Sequence, residues 1–443
     1  MHALFLNRWF QLTVGVIAMV ATANVQYGWT MFVDPIATKF HWDKAAIQFA
    51  FTLFVLSQTW LAPFLAYMRD KLGARWVIVV GGLMVGGAWV INSFATSLSM
   101  FYVGGVVAGI GGGIVYTTAI GNALKLFPDR RGLAAGITAC AFGGGAAISI
   151  APIYRMIKAS GYEHTFLVFG VIQGAVILVC AILMREPAAV LGHLALKPST
   201  AASAAVKAAH AMPDTSPSTM LKTPLFYLLY VMFTLVATGG LMATAQLGPI
   251  AKNYQIADTP VSFLGLFTMA ALPLTLSISQ VLNGLTRPFF GWLSDTIGRE
   301  LTMFLSFLAE GFAIYALIHF ASNPIYFVMF SGLAFFAWGQ IYSLFPAISA
   351  DLFGSKFAST NYAILYTAKG TASLLIPIGS WLQTRYGSWE PIFYAAAAFD
   401  VCAAILALFV LKPLCKAFKE KKLASAAPAE DTLAQGVLPR VVP

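Results

Sequence analysis

Charged residues are scarce in this sequence. Asp, Glu, Lys and Arg make up 10% of the 443 residues, whereas an ordinary soluble domain has about 25%. Hydrophobic residues make up 59%. A chain of this composition cannot cover a folded surface with polar groups, so most of that surface has to face something other than water. The composition therefore excludes a soluble globular protein and predicts a chain that lies in a lipid bilayer.

Cysteine and histidine are also few, and their spacing fits no reactive centre. The cysteines show no paired spacing for a zinc site and lie in or beside apolar runs. The histidines are scattered, and no Ser/His/Asp arrangement appears. We therefore expect no metal, no cofactor and no enzymatic activity. These residues are Cys140, Cys180, Cys402 and Cys415, and His2, His41, His164, His193, His210 and His319.

The alternating segments of about ten residues that are typical of a transmembrane β-barrel are missing too. Instead, apolar runs of about 18 residues or more recur along the chain, and a helix of that length crosses about 30 Å of hydrocarbon. The sequence predicts an all-α membrane protein with twelve spans, numbered 1 to 12 in chain order. Their predicted ranges are 9–33, 46–68, 76–94, 100–124, 132–156, 165–184, 224–250, 261–290, 301–320, 324–350, 357–383 and 391–411.

The excess of basic residues is explained by where they lie. With the N-terminus inside, most Lys and Arg fall in inside segments and six fall outside, which agrees with the positive-inside rule. The net charge of +10 therefore needs no nucleic-acid partner. We expect membrane lipid as the partner and both termini in the cytoplasm. The six outside cations are Lys39, Lys44, Arg155, Lys158, Lys252 and Arg385.

Two long segments lack an apolar run. Residues 185–223, rich in Ala, Ser and Pro, are predicted to be a cytoplasmic linker between one six-helix bundle at 1–184 and a second at 224–414. Residues 415–443 begin with four lysines and become rich in Ala and Pro. This pattern predicts a cytoplasmic tail that contacts the membrane surface and is then disordered.

One loop motif occurs at the same point of each half. AYMRDKLGAR (66–75) follows span 2, and GWLSDTIGR (291–299) follows span 8. In each copy a carboxylate can accept from the free N–H groups of a helix start, a glycine permits the bend and an arginine reaches the headgroups. We expect such a loop to hold one gate closed. The motif residues are Asp70, Gly73 and Arg75 in the first copy, and Gly291, Asp295, Gly298 and Arg299 in the second.

In these loops the chain resembles the major facilitator superfamily, whose signature is Gly-x-x-x-Asp-Arg/Lys-x-Gly-x-Arg/Lys. The resemblance implies two pseudo-symmetric six-helix halves joined by a long cytoplasmic loop. The first copy departs at Ala66, where the family prefers glycine. Glycine-rich runs such as GGVVAGIGGG (104–113) lie inside apolar spans, so we interpret them as helix-packing surfaces rather than phosphate loops.

Two cations, Arg287 in span 8 and Lys369 in span 11, lie within apolar helices. A charge at the bilayer centre costs at least about 2.5 kcal/mol, so both need a compensating reason. Counting residues from Asp295 and Phe357 places them roughly 12 and 18 Å from the inside surface. Both therefore lie near the midplane, where transporters of this class hold their cargo.

The simplest alternative is that each cation is neutralised by an acid within the membrane, and Glu310 in span 9 and Asp400 in span 12 are the candidates. In the superfamily, spans 8 and 11 line the cavity and spans 9 and 12 are peripheral, so the resemblance implies a pathway role for Arg287 and Lys369. A small anion is then the natural ligand. Arginine grips a carboxylate with two parallel N–H bonds and lysine adds a compact charge, so the pair matches a dicarboxylate.

Aromatic residues lie close to these cations along the helices. Tyr366 precedes Lys369 by three residues, and Trp338 and Tyr342 form an i, i+4 pair in span 10. Their ring faces attract cations and their donors can reach carboxylate oxygens. Taken alone, aromatic residues in a membrane helix are more often packing residues.

Longer matches narrow the resemblance to the oxalate:formate antiporter family. They include VQYGWT (25–30), FFAWGQIYSLFP (335–346) and NYAILYTAKGTAS (361–373). The resemblance implies a site in which the two cations clasp the carboxylates of the substrate inside a cage of polar and aromatic residues. Two cage positions, Phe142 and Tyr366, differ from the tyrosine and tryptophan of the family's oxalate carrier. The other cage positions are Gln26, Tyr27, Gln48, Tyr116, Trp338 and Tyr342.

The resemblance implies a transporter of the bacterial inner membrane, which we expect to be monomeric, that exchanges small carboxylates by alternating access, oxalate for formate first. Closing a gate around two unneutralised cations is costly, which favours obligatory exchange. The alternative is a proton-coupled symporter of pyruvate, lactate or formate in which Glu310 or Asp400 takes up the proton. The two cage positions that differ from the oxalate carrier, together with the two acids, leave both functions open: exchange of carboxylates and proton-coupled symport.

Overall fold

The structure, a computed structural model, describes residues 5–127, 131–194, 214–354 and 357–426. Nearly all of this chain is helical, in agreement with the predicted all-α class. In the first half the helices are Arg8–Tyr27 and Thr30–Phe40 (span 1), Lys44–Trp60 and Ala62–Leu72 (span 2), Ala74–Ser93 (span 3), Leu98–Leu126 (span 4), Arg131–Gly144 (span 5) and Ala147–Leu183 (the rest of span 5 and span 6). Gly161, at φ 83°, separates spans 5 and 6.

The second half repeats this arrangement. Its helices are Pro224–Asn253 (span 7), Ala271–Ile297 (span 8), Arg299–His319 (span 9), Pro324–Trp338 and Ile341–Phe353 (span 10), Ala358–Ser373 and Leu375–Tyr386 (span 11) and Glu390–Ile405 (span 12), which continues through a π-helix at Leu406–Leu411. Span 2 packs against span 11, and span 5 packs against span 8. Span 8 is the counterpart of span 2 in the second half, and span 5 is the counterpart of span 11 in the first half. The two packing pairs are therefore equivalent, and the interface is pseudo-symmetric.

Several spans are broken in the middle. The breaks include Gly28 in span 1, Gly145 in span 5 and Gly339 in span 10. Each break lies one to three residues after an aromatic residue that is predicted to belong to the cage. These aromatic residues are Tyr27, Phe142 and Trp338. Irregular backbone at membrane depth is tolerated where it lines a cavity inside the protein, so the breaks indicate the region of a binding site.

In the described part of the chain, eight helices are long and apolar enough by themselves to cross a membrane, and the bent pair Lys44–Trp60 and Ala62–Arg69 makes nine. One of these helices, Leu133–Leu183, contains two of the predicted spans. Spans 8 and 11 do not meet this criterion. Span 8 carries Arg287 together with several polar residues. Span 11, which carries Lys369, is divided into helices of 16 and 12 residues.

The start of span 8 differs from the prediction. The sequence predicts a helix from residue 261, but Pro260–Phe263 and Phe267–Ala270 form an antiparallel hairpin and the helix begins at Ala271. At the hairpin tip Leu264 and Gly265 have φ 52° and 73°, which a right-handed helix cannot use. The prediction was wrong because a short apolar run does not distinguish a strand from a helix.

The two loop motifs have the same backbone conformation. Gly73 has φ 81° and ψ 152°, and Gly298 has φ 93° and ψ 155°. Only glycine adopts these angles readily, so each loop bends at its glycine. At Gly291, in contrast, an added Cβ would meet no atom within 4 Å, so no close contact requires glycine there.

The polar contacts of the two loops are not those expected. Asp295 pairs with Arg299 at 2.6 Å rather than with a helix N–H, and Arg299 also donates to Asp351 at 3.1 Å. In the first loop the N–H of Ala74 donates to Glu186 at 2.6 Å. The expectation of helix-start capping was therefore wrong for Asp295, because the arginine four residues later is within reach. Arg75 is exposed, and the side chain of Asp70 lies outside the described residues.

The linker and the tail contain short helices. Pro187–Leu194 and Pro217–Met220 lie in the predicted linker, of which residues 195–213 are outside the described part of the chain. Lys412–Ala426 is helical, so the prediction of disorder from residue 415 is wrong for residues 415–426. The apolar face of this helix packs onto the bundle, because Cys415 is buried and Phe418 contacts Phe353.

Candidate functional site

Arg287 lies inside the protein at the boundary between the two halves. Its side chain is 3% exposed, and its Nη1 donates to the carbonyl oxygen of Ala139 in span 5. The guanidinium carbon lies 4.6 Å from the ring centroid of Tyr342. Its Nε has no hydrogen-bond partner among the described residues. The guanidinium thus reaches across to the first half and keeps a donor that can serve a ligand.

Lys369, like Arg287, extends from the second half to contact residues of the first half. It is fully buried, and its Nζ donates to Gln26 at 3.0 Å and to Gln58 at 3.2 Å, both in the first half. A third contact goes to the hydroxyl of Tyr366 at 3.4 Å. All three acceptors are neutral oxygens, so the lysine is oriented without being neutralised.

Tyr342 lies next to both cations. Its ring centroid is 4.6 Å from Arg287 Cζ and 5.6 Å from Lys369 Nζ. Neither cation forms an ion pair with any described residue. Two like charges held around one ring in a medium of low dielectric repel each other, and an anion between them removes that repulsion. The arrangement is therefore suited to bind a small anion.

Aromatic rings form the walls of this site. The ring of Phe142 lies between Tyr27 (5.7 Å) and Tyr116 (5.2 Å), and Tyr116 stacks on Tyr366 at 6.4 Å. Trp338 contacts Tyr342 edge to face at 5.6 Å. The Tyr342 hydroxyl and the Trp338 indole N–H are buried and unpaired among the described residues. The walls thus combine apolar faces with donors available to carboxylate oxygens.

The structure brings together all but one of the predicted cage residues. The residues that meet around the two cations are Gln26, Tyr27, Tyr116, Phe142, Trp338, Tyr342 and Tyr366. Gln48 lies elsewhere: it donates to the carbonyl oxygen of Ala245 at 2.8 Å and accepts from Trp29 at 3.1 Å. It precedes Gln58 by ten residues on the same span, or roughly 15 Å toward the outer end.

Sequence reasoning missed three residues of the site. Gln58 accepts from Lys369, Asn283 donates to the Tyr27 hydroxyl at 3.2 Å, and Tyr362 contacts Tyr366 at 5.7 Å. Asn283 and Tyr362 could have been found, since they lie four residues before Arg287 and Tyr366 on the same helix faces. The role of Gln58 depends on the packing of span 2 against span 11, which no local pattern shows.

The two acids do not neutralise the cations. Glu310 and Asp400 are fully buried, and none of their four carboxyl oxygens has a hydrogen-bond partner among the described residues. Both face Gly239 of span 7 within the second half. The structure therefore does not support the alternative in which these acids pair with Arg287 and Lys369.

One end of the site is closed by contacts between the halves. Gly248 donates to the Thr30 hydroxyl at 2.7 Å, and the Thr52 hydroxyl donates to the carbonyl oxygen of Ser373 at 2.8 Å. Thr30 lies toward the end of span 1, Thr52 toward the start of span 2 and Gly248 near the end of span 7. The distribution of basic residues predicts that these ends of the spans face the outside. In this structure the site is shut toward that face.

Comparisons with known proteins agree with this architecture. Residues 14–284 and 228–439 match the Major Facilitator Superfamily model. An oxalate:formate antiporter of Oxalobacter formigenes is 33% identical over 427 residues, covering 96% of each chain. An uncharacterized MFS-type transporter of Escherichia coli (strain K12) is 23% identical over 83% of this chain and 86% of its own. Monocarboxylate transporter 12-B of Danio rerio is 25% identical over 79% and 75% respectively.

Proposed function

Because this chain belongs to the major facilitator superfamily and is thus a multi-pass membrane transporter, we propose that it exchanges small carboxylate anions, oxalate for formate first, across the bacterial inner membrane. The observation that carries the proposal is the pair Arg287 and Lys369. They are buried beside one ring with no acid among the described residues to neutralise them. The relative named as an oxalate:formate antiporter supports the choice of first cargo.

In the proposed cycle the cargo replaces contacts that the cations make with the first half. Arg287 gives up the carbonyl of Ala139 and Lys369 gives up Gln26 or Gln58, and both turn to carboxylate oxygens. Charged acceptors give hydrogen bonds about twice as strong as neutral ones, so the exchange is favourable. Without cargo, reorientation would carry two unneutralised cations through the membrane interior, which favours exchange over net transport.

The experiment is counterflow of labelled oxalate into proteoliposomes preloaded with formate or oxalate. Arg287→Gln and Lys369→Gln should each lower exchange by at least about 100-fold, since removing one partner of a buried ionic contact costs about 3–5 kcal/mol. Arg385→Gln is the matched control. It removes a cation from span 11, the span that carries Lys369, at an exposed outer position, and should leave exchange unchanged.

A thermal-shift panel of oxalate, formate, pyruvate and malonate on purified protein identifies the cargo independently of transport, because bound ligand stabilises the folded state by mass action. Dicarboxylates should raise the Tm of wild-type protein and not of Arg287→Gln. Exchange at the wild-type rate in either cation variant would refute the site, and no shift with any carboxylate would refute the substrate class.

A second candidate is a proton-coupled monocarboxylate symporter. The buried, unpaired acids Glu310 and Asp400 favour it, and so does the similarity to a protein named as a monocarboxylate transporter. A symporter takes up labelled pyruvate or formate into liposomes that contain no anion, faster when the outside is acidic. An exchanger shows no such uptake until the inside is loaded.

A further inference from the structure

Spans 9 and 12 bring two carboxyl groups together inside the second half. Glu310 and Asp400 are both 0% exposed. A Cβ placed on Gly239 of span 7 would lie 3.0 Å from Asp400 Oδ2 and 3.4 Å from Glu310 Oε1, so both carboxyl groups face one point. None of their four oxygens has a hydrogen-bond partner among the described residues.

Two ionised carboxylates cannot share such a place. Each would lose its hydration without gaining a cation or a donor, and the two would repel each other in a medium of low dielectric. One bound proton relieves both costs, because a protonated carboxyl can donate to the neighbouring carboxylate. The chemistry of the pair therefore requires a proton as its ligand.

The wall between this pair and the cations is thin. Gly239 faces the acids, and at the next residue an added Cβ on Gly240 would lie 2.2 Å from ring atoms of Trp338. Trp338 contacts Tyr342, whose ring lies beside both cations. Gly239 and Gly240 are adjacent and have no side chains, so the backbone of span 7 contacts the acids on one side and this aromatic wall on the other. A displacement of span 7 on one side therefore acts on the other.

We infer that Glu310 and Asp400 form a proton-binding site coupled, through Gly239, Gly240 and Trp338, to the carboxylate site. Releasing the proton adds a negative charge near the site and weakens anion binding. Since linkage is reciprocal, anion binding strengthens proton binding. The carrier thus takes up protons as it binds its dicarboxylate. The choice of anion in this inference rests on the proposed function. The existence of the proton site does not depend on the proposed function.

Other ionisable groups around the pair either lie further along its helices or belong to the anion site. Arg287 and Tyr342, on spans 8 and 10 that also pack against span 9, belong to the anion site. On the three helices that meet there, Tyr315 and His319 follow Glu310 by at least five residues, and Glu390 and Tyr394 precede Asp400 by at least six. Tyr230 precedes Gly239 by nine residues, and Cys402 is exposed. Lys369 belongs to the anion site, so its own titration is separated by variants that keep it.

A metal ion fits the pair poorly. Sodium and calcium need about six oxygen ligands, whereas the pair supplies four, and its other neighbours include the apolar side chains of Ile314 and Val401. No group of three or more His, Cys, Asp or Glu that could hold a metal occurs in the described part of the chain. Measurements in sodium-free and sodium-containing buffer distinguish a bound proton from a bound sodium ion, because sodium does not affect a site that binds only a proton.

The first measurement needs no cargo. Infrared spectra of purified wild-type protein at pH 7 should show the C=O stretch of a protonated carboxyl in a dry environment, and the double variant Glu310→Gln/Asp400→Asn should lack it. These substitutions keep the shape of the side chains, so the fold is retained. Absence of the band in wild-type protein would overturn the inference whatever the carrier transports.

The second measurement is calorimetric titration with oxalate between pH 6 and 8 in buffers of different ionisation enthalpy. Wild-type protein should take up part of a proton per oxalate and bind more tightly at low pH, by up to about tenfold per unit. The double variant should still bind oxalate but lose this uptake. Glu300→Gln, on the same span as Glu310 but partly exposed, is the control and should behave as wild type.

The outcomes separate the two proposals. Oxalate binding without proton uptake, or equal uptake in the double variant through Lys369, overturns the coupling and leaves the anion site standing. If no carboxylate binds while the infrared band is present, the proposed function fails and the proton site remains.

Discussion

At the residue scale, the two cations are held by groups that a carboxylate can displace. Lys369 contacts three neutral oxygens, and Arg287 contacts one carbonyl and one ring. Such contacts orient the charges between cargoes, but each is weaker than a hydrogen bond to an anion. The position of the guanidinium also depends on Gly143, where an added Cβ would lie 3.0 Å from Nη2.

The substitution Gly143→Ala should therefore weaken cargo binding. The methyl group forces the guanidinium of Arg287 to move by a few tenths of an ångström. The methyl group itself cannot move away, because it would lie 3.2 Å from the backbone oxygen of Asn283. We expect the Kd for oxalate to rise roughly tenfold, which corresponds to about 1.4 kcal/mol. Calorimetric titration measures it.

The neighbouring glycine provides the control. A Cβ at Gly144 would lie 3.5 Å from the nearest atom, an ordinary contact. Gly144→Ala should bind oxalate as wild type does. Equal effects of the two substitutions would show that span 5 tolerates no methyl group anywhere in this region, and would remove the argument about Arg287.

At the scale of elements, the repeated loops show which part of a motif is structural. Gly73 and Gly298 occupy a region of backbone angles that is essentially restricted to glycine, at corresponding points of the two halves. Gly291 belongs to the same motif but has an ordinary φ and open space around it. The requirement for glycine therefore falls on the bend between two helices and not on the whole motif.

Gly298→Ala should destabilise the protein by about 1–3 kcal/mol, because alanine is strained at φ 93° whatever space surrounds it. The Tm of the purified protein measures the loss. Gly291→Ala, seven residues earlier in a helix and with open space around it, should not lower the Tm. A larger loss at Gly291 than at Gly298 would contradict the backbone argument.

At the scale of the whole molecule, an ion pair between described residues joins the halves at the closed end of the site, which is predicted to face outside. Lys158, at the end of span 5, pairs with Asp258 in the loop after span 7, and the Tyr154 hydroxyl donates to the same carboxylate at 2.6 Å. Other ion pairs on this surface, Lys39 with Glu163 and Lys44 with Asp34, lie within the first half. Among the ion pairs of the described residues on this surface, the pair with Asp258 is the one that joins the two halves and has to break when they separate at this end.

Asp258→Asn should shift the carrier toward the outward-open state. Exposed ion pairs contribute roughly 0.2–1 kcal/mol, so the open population should rise by up to about fivefold. The readout is the labelling rate of Ala245→Cys, a fully buried outer-gate position, on a background without the four native cysteines. Glu163→Gln breaks a pair within one half and should not change labelling. If both variants label alike, the pair has no role in the gate.

This contact should not respond to pH near neutrality. Burial raises the pKa of Asp258, but the hydrogen bonds from Lys158 and Tyr154 and the charge of Lys158 outweigh it, so that the pKa lies below the usual range of an aspartate. A depressed carboxyl pKa gives stability that is lost only as the pH falls through the lowered value. Labelling of Ala245→Cys should be constant from pH 6 to 8 once corrected for thiol reactivity, while oxalate affinity changes over that range.

The composition and the local patterns of the sequence determined the class of the molecule. Twelve apolar runs, a loop motif repeated 225 residues apart and two cations in apolar helices predict a transporter with a charged site, because hydropathy and spacing are local properties. The hairpin at 260–270 escaped this reasoning, since a short apolar run suits a strand and a helix equally.

Only the tertiary structure decided which groups meet. It assigned Gln58 rather than Gln48 to Lys369, and it turned Glu310 and Asp400 toward each other rather than toward the cations. Lys369 and Gln58 are 311 residues apart in sequence. Such contacts depend on how the two bundles pack against each other. The energy of that packing is spread over the whole interface, so no single segment of the sequence predicts it.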